Sequence, residues 1–297
     1  MAQANLWNQL WVVGCAQNCA ADLEAVLANI AALRGLFRQS RLLVLENDST
    51  DATRQLLAER AQADPGLRAL GLTGLNGRIP VKTVRLAHLR NGAMAWLRRQ
   101  GALEQKALVL VLDLDGVNAA PWDLGHFVEV LEWFWPQREA AAVFANQRGP
   151  YYDLWALRHP QFCPDDIWER MLEARWADAT TPDGALLEQV IGPRQLSFEP
   201  SLPPFQVESA FGGLGFYKSQ WLQASAIPYV GETTRWLERQ GRPTLIRWQC
   251  AEHVSFHAGL RAAGGSLWIH PALLNWHTDA LSGGLRLNPA SWRHLSF

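Results

Sequence analysis

One apolar segment, residues 107–112, constrains the fold of this chain more than any other part of the sequence. It has the length of a strand and consists of leucine and valine after its first residue, which is typical of a central strand buried on both faces of a parallel sheet. The segment ends on Asp113 and Asp115, which flank Leu114. Because side chains alternate along a strand, both carboxylates are predicted to leave on one face, at the edge where open α/β sheets bind ligands.

The pair of aspartates has three interpretations when it is taken alone. Carboxylates this close repel each other unless a cation, a proton or hydrogen-bond donors lie nearby. The first interpretation is the Asp-x-Asp motif of nucleotide-sugar glycosyltransferases, in which carboxylates hold a divalent ion that bridges a diphosphate. The second is the opening motif of haloacid-dehalogenase-like phosphatases, with Asp113 as the nucleophile. The third is a strand that ends in solvated acids, since short motifs often match by chance.

Composition narrows the class of protein. The chain has 297 residues, of which 48% are hydrophobic and 19% charged, so it can bury a packed core. A net charge of −1 gives no case for a nucleic-acid partner. We find neither a secretory signal nor an apolar run of membrane-spanning length, and therefore expect a cytoplasmic protein whose membrane contact is at most peripheral. The 4 cysteines form no CxxC pair, which favours reduced thiols.

The first 120 residues alternate between strand and helix patterns. Strands are predicted at residues 10–14 and 41–45, and the apolar spacing between them indicates an amphipathic helix over residues 22–37. This is a βαβ unit, whose crossover should be right-handed in a parallel sheet. After a loop with one short strand, a third helix is expected over residues 82–99, and its Arg85 and Arg90 are candidates to contact a diphosphate.

A polar stretch, residues 46–53, follows the second strand. Asp48 or Ser49 is predicted to cap the next helix, which would explain part of this polarity. Acids and amides at the carboxyl end of a strand also bind nucleosides in α/β folds. Asn47 and Asp48 are therefore candidates to bind the base and ribose of a nucleotide.

The second part of the chain, after Pro121, is less regular. Residues 163–204 are Pro-rich and carry one predicted helix, and a long loop of this kind often serves as a lid or a binding loop. The other elements expected here are a helix, two strands, a further helix and a last strand, at residues 127–135, 141–145, 207–217, 252–260 and 266–276.

Tryptophan is unusually frequent, with 15 residues. Aromatic faces stack on the C–H faces of sugars, but large aromatic side chains are also ordinary core material. Most of the tryptophans are expected to lie in the core. Trp122, Trp133 and Trp135, just beyond the aspartates, are the predicted exceptions.

Several segments, taken in order, resemble one family. The chain resembles GT-A-fold glycosyltransferases and, within them, the cryptococcal capsular α-1,3-mannosyltransferase family and its bacterial relatives. The fungal members differ in having a membrane anchor with an N-terminal extension, and their acidic motif is more often Asn-Asp-Val. The resemblance covers the chain from about residue 12 to residue 277 and is carried by residues 46–53, 86–91, 113–115, 152–158, 207–217 and 250–253.

The resemblance implies a fold and a metal site. The fold is a mixed, mainly parallel sheet flanked by helices in one GT-A-type domain, residues 1–297, with a nucleotide-sugar half over residues 1–120 and an acceptor half over residues 121–297. A hard divalent cation, Mn²⁺ or Mg²⁺, takes oxygen ligands from carboxylates and phosphates and stabilises a departing diphosphate. Asp115 is expected to bind it directly and Asp113 through water or the ribose, and His277 resembles a histidine that completes the metal shell.

Glu252 is the candidate general base. In inverting members of this fold a carboxylate here removes the proton of the acceptor hydroxyl, whereas in retaining members it positions the substrate. The resemblance implies GDP-mannose as donor, with a UDP-sugar as the alternative, and a glycan or lipid-linked saccharide as acceptor. Two other functions stay open. One is a haloacid-dehalogenase-like phosphohydrolase, which would need Lys218 and an acidic pair such as Asp165 and Asp166; the other is a non-catalytic glycan-binding module.

Overall fold

The computed structural model describes residues 7–276 and 293–294. Its strands are β1 (Trp7–Ala16), β2 (Phe37–Asn47), β3 (Leu67–Leu72), β4 (Leu108–Asp113), β5 (Ala140–Gln147), β6 (Leu196–Ser197), β7 (Phe205–Val207), β8 (Leu214–Lys218), β9 (Glu232–Arg239), β10 (Arg242–Gln249), β11 (Ser266–Trp276) and β12 (Arg293–His294). Its α-helices are α1 (Ala20–Arg34), α2 (Thr53–Ala63), α3 (Leu75–Arg78), α4 (Lys82–Arg99), α5 (Leu124–Phe134), α6 (Ile167–Ala177), α7 (Asp183–Ile191), α8 (Ser219–Ala224) and α9 (Glu252–Ala262).

The largest sheet has 8 strands in the order β3-β2-β1-β4-β8-β5-β11-β7. The four strands β3, β2, β1 and β4 are parallel to one another, and β5 is parallel to β11. Strand β8 runs antiparallel to both of its neighbours, β4 and β5. The predicted fold class, a mixed and mainly parallel sheet flanked by helices, is confirmed. The chain moves from β1 outward to β3 and then returns to β4 on the other side of β1. Open sheets form a ligand-binding crevice at such a reversal, beyond the carboxyl ends of the strands.

Alternate residues of the central strands pack against helices on the two faces of this sheet. Val13 and Val111 belong to a buried cluster that includes side chains of α4 and α9, whereas Val12 and Leu110 belong to a cluster with α1 and α5. Because both faces are covered, residues 10–13 of β1 and 108–112 of β4 are all apolar, as residues 107–112 indicated. The rigid centre of the sheet therefore fixes where β4 ends and its aspartates begin.

The structure differs from the predicted elements at several places. The helix α1 ends at Arg34, since Phe37 is already the first residue of β2. The segment predicted as one strand over residues 207–217 divides into β7 and β8, because Gly212 and Gly213 between them adopt positive φ angles of 62° and 81°. The irregular segment over residues 163–204 contains α7 as well as the predicted α6, and the hairpin of β9 and β10 was not predicted.

Within the described residues, no helix has both the length and the apolar character that a crossing of the membrane requires.

Candidate active site

A cleft of about 470 Å³ lies at the carboxyl ends of β1, β2 and β4, where the strand order reverses. Helices α4 and α9 and the loop after β5 complete its walls. Its polar and aromatic lining residues include Cys15, Gln17, Asn47, Lys82, Thr83, Arg85, Arg90, Asp113, Asp115, Tyr152, Asp153, Trp155, Trp168, Phe211, Gln249, Glu252 and His253. This position is the one that the end of the apolar strand predicted for a ligand site.

Asp113 and Asp115 both line this cleft. The turn that follows them is held in place because the Asn118 side chain donates to the carbonyl oxygens of Asp113 and Gly213, each at 2.8 Å. A Cβ atom at Gly213 would lie 2.6 Å from Val117, so only glycine permits this close approach. Loss of solvent within the cleft, followed by the charge of Asp113, raises the pKa of Asp115 to about 6.

Arg90 joins the first aspartate to Glu252. Its Nε donates to Glu252 Oε1 at 2.9 Å, and its Nη2 donates to Asp113 Oδ1 at 3.0 Å. The guanidinium also lies over the ring of Phe211, 4.8 Å from the centroid. Burial raises the pKa of Glu252, and the charge of Arg90 opposes that rise. Arg90 was predicted to contact a diphosphate, but two of its nitrogens are used by carboxylates; Nη1 has no hydrogen-bond partner among the described residues.

The other predicted nucleotide-binding residues differ in their positions. Asn47 is buried and lines the cleft, where its amide donates to Asn76 Oδ1 at 3.1 Å. Arg85 also lines the cleft, and its Nη1 donates to the carbonyl oxygens of Ile79 and Pro80 at 2.7 and 3.2 Å. These bonds anchor Arg85 to the chain that enters α4.

Asp48 does not line the cleft. Its carboxylate accepts hydrogen bonds from the backbone amides of Gly74 and Asn76, at 2.5 and 2.6 Å, and these bonds lower its pKa. The carboxylate thus connects the end of β2 to the loop before α3. The predicted capping role of Asp48 or Ser49 is wrong, since α2 begins after Ala52.

The predicted third metal ligand, His277, lies outside the described residues. Within residues 7–276 and 293–294, no group of at least three His, Cys, Asp or Glu side chains is arranged to hold a metal ion. His257 accepts or donates hydrogen bonds with Ser209 and Tyr217, both at 2.9 Å, and burial lowers its pKa to about 3. His253 stacks on Phe211 with the ring centroids 3.9 Å apart.

Several cleft residues were not predicted as site residues, namely Lys82, Tyr152, Asp153, Trp155 and Trp168. Three of them lie within residues 152–158, one of the segments that carry the family resemblance. Lys82 is the first residue of α4, and its charge acts on Asp115. Among the positively charged side chains that line the cleft, Lys82 is the one nearest in sequence to Arg85.

The three tryptophans predicted to stack on a sugar do not line the cleft. Trp122 is buried against Phe127, with ring centroids 4.9 Å apart, and Trp133 packs edge-on against Trp268 at 5.5 Å. Trp135 is 37% exposed at the end of α5. Position in the sequence close to Asp115 was a poor guide, because Trp133 lies on α5 and Trp122 packs against Phe127 of the same helix.

Asp153 gives a prediction for stability against pH. Burial raises its pKa from 3.8 to about 6, and the charges of Asp113 and Glu252 act in the same direction. This pKa lies above that of the same group in the unfolded chain. The contribution of protonated Asp153 to the free energy of unfolding is therefore fully present below about pH 4 and is lost as the pH rises through about 6. We expect Asp153→Asn to raise the free energy of unfolding near pH 8 by up to about 3 kcal/mol and to have little effect near pH 4.

Urea denaturation of the wild type and this variant at a series of pH values measures the difference. The substituted amide keeps an oxygen that can accept the bond from the Ala156 amide, at 3.0 Å in the wild type. Asp178→Asn is the control, because hydrogen bonds from Thr180 and Thr181 lower the pKa of this exposed aspartate. Removal of the Asp178 carboxylate should therefore not raise the free energy of unfolding. A gain of Asp153→Asn that did not grow with pH would contradict the assignment.

No family model and no curated protein matches the sequence. Among solved structures, the chain is similar to glucosyl-3-phosphoglycerate synthase from Mycobacterium tuberculosis in complex with Mn²⁺, UDP and phosphoglyceric acid, at 18% identity and a TM-score of 0.41 over 91% of this chain and 68% of that one. It is also similar to the mannosyltransferase PcManGT from Pyrobaculum calidifontis in complex with GDP-Man and Mn²⁺, at 18% identity and a TM-score of 0.36 over 72% of this chain and 45% of that one.

A third similar structure is S. aureus TarS 1-349, at 14% identity and a TM-score of 0.41 over 88% of this chain and 57% of that one. The chain therefore spans 45% and 57% of the lengths of two of these proteins. Each similarity is to a protein whose identity with this chain is below one fifth.

Proposed function

We propose that this chain is a metal-dependent glycosyltransferase that moves a hexose from a nucleoside-diphosphate sugar to a saccharide acceptor. The observation that carries the proposal is that Asp113, Asp115 and Glu252 line one cleft at the reversal of the strand order. This cleft draws residues from both parts of the sequence, with the aspartates from residues 1–120 and Glu252 from residues 121–297. Two of the similar structures are complexes with Mn²⁺ and either UDP or GDP-Man, and these ligands belong to the same chemical class as the proposed donor and metal.

The carboxylates at the end of β4 fit a hard divalent cation. Asp113 Oδ1 accepts from Arg90, and the charge of Asp113 adds to burial in raising the pKa of Asp115, so a cation between the two acids would reduce their repulsion. Asp115 and Asp113 would hold Mn²⁺ or Mg²⁺, and substrate phosphate and water would supply further oxygens. The cation would contribute Lewis-acid stabilisation of the departing diphosphate.

Cationic and amide side chains of the cleft are available for the remaining contacts with the sugar-nucleotide donor. Lys82 and Arg85 lie on the first turn of α4, and both line the cleft near the aspartates. We propose that these two residues bind the negatively charged diphosphate, since Arg90 is already paired with carboxylates. Asn47 is assigned to the nucleoside. The resemblance to the capsular mannosyltransferase family favours GDP-mannose over a UDP-sugar.

Glu252 is assigned to the acceptor hydroxyl. It lies at the first position of α9, is 5% exposed, and is held by Arg90 at 2.9 Å. In an inverting transfer its carboxylate would accept the proton of the acceptor hydroxyl, and in a retaining transfer it would orient the substrate. The Cys15 thiol beside this group is not a competing nucleophile, because burial raises its pKa to about 12.

The phosphohydrolase alternative is poorly supported by the positions of its required residues. Lys218 pairs in register with Leu108, at the opposite end of β4 from Asp113, which places it about 16 Å away along the strand. Asp165 is paired with Arg170 and Arg194, and Asp166 with Arg158, so neither acid lines the cleft. An aspartyl-phosphate at Asp113 would lack Lys218 and the pair of Asp165 and Asp166, the residues that the sequence offered for these roles.

The experiment is a panel of GDP- and UDP-sugars with the purified protein, in which free nucleotide is measured with and without Mn²⁺. We expect nucleotide release from one donor class, restored by Mn²⁺ or Mg²⁺ after treatment with a chelator. Inorganic phosphate released from p-nitrophenyl phosphate would instead favour the phosphohydrolase. Saccharide binding without any metal-dependent nucleotide release would favour the glycan-binding module.

A further inference from the structure

Two indole rings form a part of the cleft that the proposed donor and metal contacts do not use. Trp155 lies in the loop after β5, and Trp168 lies in the first turn of α6. Both are half-buried and both line the cleft. Their ring centroids are 4.4 Å apart, and the ring planes are tilted by 35°. Tyr152, which is 45% exposed, lines the same cleft three residues before Trp155.

A largely buried ion pair fixes the main chain of both tryptophans. Arg158 Nη2 contacts Asp166 Oδ2 at 2.7 Å, and the two side chains are 9% and 11% exposed. Arg158 Nη1 donates to the carbonyl oxygen of Trp155 at 2.9 Å, and Asp166 Oδ1 accepts from the amide of Trp168 at 2.9 Å. The main chain of both tryptophans is therefore held before any ligand arrives, and the two rings pack on each other, which lowers the entropy cost of binding.

The charges around the indoles select against an anionic ligand. Asp153 lies between Tyr152 and Trp155 in the sequence, and it is close enough to Asp113 and Glu252 for their charges to raise its pKa. In the described part of the chain, the lysines and arginines that line the cleft are Lys82, Arg85 and Arg90, all on α4. Because Arg90 is paired with Asp113 and Glu252, it offers little charge to an additional anion.

We infer that Trp155 and Trp168 form the acceptor subsite and that it takes a neutral pyranose rather than a phosphorylated or carboxylated acceptor. The C–H face of the sugar packs against the indoles, and its hydroxyls donate to the carboxylates of Asp153 and Glu252. This inference rests on the proposed function, and it adds the place of the acceptor and its charge. A phosphoryl group in the same position would meet the carboxylate of Asp153 and would find Arg90 already paired with Glu252 and Asp113, so its binding would carry a repulsive penalty.

The first test compares Trp155→Ala and Trp168→Ala with Trp236→Ala, which removes an indole that is 68% exposed on β9 and does not line the cleft. We expect each cleft variant to raise the acceptor KM about tenfold and to lower kcat less than KM rises. Trp236→Ala should leave KM and kcat as they are in the wild type. Trp155→Phe and Trp168→Phe, which keep an aromatic face, should recover part of the loss and guard against misfolding.

The second test changes the acceptor. Methyl glucoside, methyl galactoside and methyl mannoside serve as neutral probes, with glucose 6-phosphate and 3-phosphoglycerate as charged probes. We expect a neutral glycoside to raise nucleotide release above the rate with water, and the charged probes to fail. Two results would overturn the inference: preference for a charged probe, or an equal loss of the acceptor-dependent and water-dependent rates in both cleft variants. Metal-dependent nucleotide release in the same experiments would still support the proposed function.

Ligand-observed NMR with the same glycosides keeps the two proposals separable. Saturation transfer to a glycoside that weakens in Trp155→Ala, without nucleotide release from any donor, would support the saccharide subsite and reject the transferase. Release from a donor with no saccharide binding to the wild type would reject the subsite and keep the transferase.

Discussion

Asp115→Asn should abolish most of the metal-dependent nucleotide release, with a loss of about 10²–10³-fold, equivalent to about 3–4 kcal/mol of transition-state stabilisation. The amide keeps an oxygen but not the charge with which the carboxylate would attract a divalent cation. In the absence of metal, the same change removes the repulsion between Asp113 and Asp115 that contributes to the raised pKa of Asp115. The variant should therefore unfold at the same or a higher temperature than the wild type, although it is inactive.

Addition of Mn²⁺ sharpens this test, because a ligand that binds the folded state raises its Tm. We expect Mn²⁺ with the nucleotide to raise the Tm of the wild type and to have little effect on Asp115→Asn. Asp183→Asn removes one negative charge from an aspartate whose side chain is 92% exposed, and it should retain the wild-type rate and Tm shift. Retention of more than about a tenth of the rate by Asp115→Asn would be incompatible with a metal-binding role.

The sequence predicted the parts of the fold that local patterns determine. The helix over residues 82–99 matches α4, and the strand over residues 266–276 matches β11. In α4 the apolar residues Leu89, Ala93 and Leu97 are buried, and in β11 the alternate residues Leu267, Ile269 and Leu273 are buried. The local pattern and the tertiary packing therefore favour the same element in both segments. The end of the apolar run on Asp113 and Asp115 also located the cleft, because the carboxyl end of a buried parallel strand is a ligand position in many α/β folds.

Contacts between residues distant in the sequence could not be predicted in this way. The bond between Arg90 and Glu252 joins residues 162 positions apart, and the role of Arg90 changes once both of its carboxylate partners are known. Trp155 and Trp168 were not predicted as cleft residues for the same reason, since their ring contact and the ion pair of Arg158 and Asp166 beside it are tertiary. Asp48 was predicted to bind a nucleoside because of its polar neighbours, and the hydrogen bonds that its carboxylate accepts from the loop amides of Gly74 and Asn76 could not be predicted from the sequence.

Loss of Arg90 should also cost much stability. Its side chain is 5% exposed, and its partners Glu252 and Asp113 are 7% and 25% exposed. Removal of one member of a buried ion pair leaves an uncompensated charge, so we expect Arg90→Met to lower the free energy of unfolding by about 3–5 kcal/mol at neutral pH. Arg60→Met breaks the exposed pair with Glu24, with side chains 52% and 44% exposed, and should cost about 0–1 kcal/mol.

The cost of Arg90→Met should depend on pH in a direction that identifies its cause. Without the guanidinium, the pKa of the buried Glu252 rises further above that of the unfolded chain, so the deficit is present at neutral pH and shrinks as the pH falls and the carboxyl takes up a proton. The double variant Arg90→Met/Glu252→Gln should recover part of the loss at neutral pH, because no buried glutamate charge remains. Urea denaturation of the four proteins of this cycle at two pH values measures the coupling. Additive losses at both pH values would mean that Arg90 stabilises the fold through packing on Phe211, and not by compensating the acid beside the cleft.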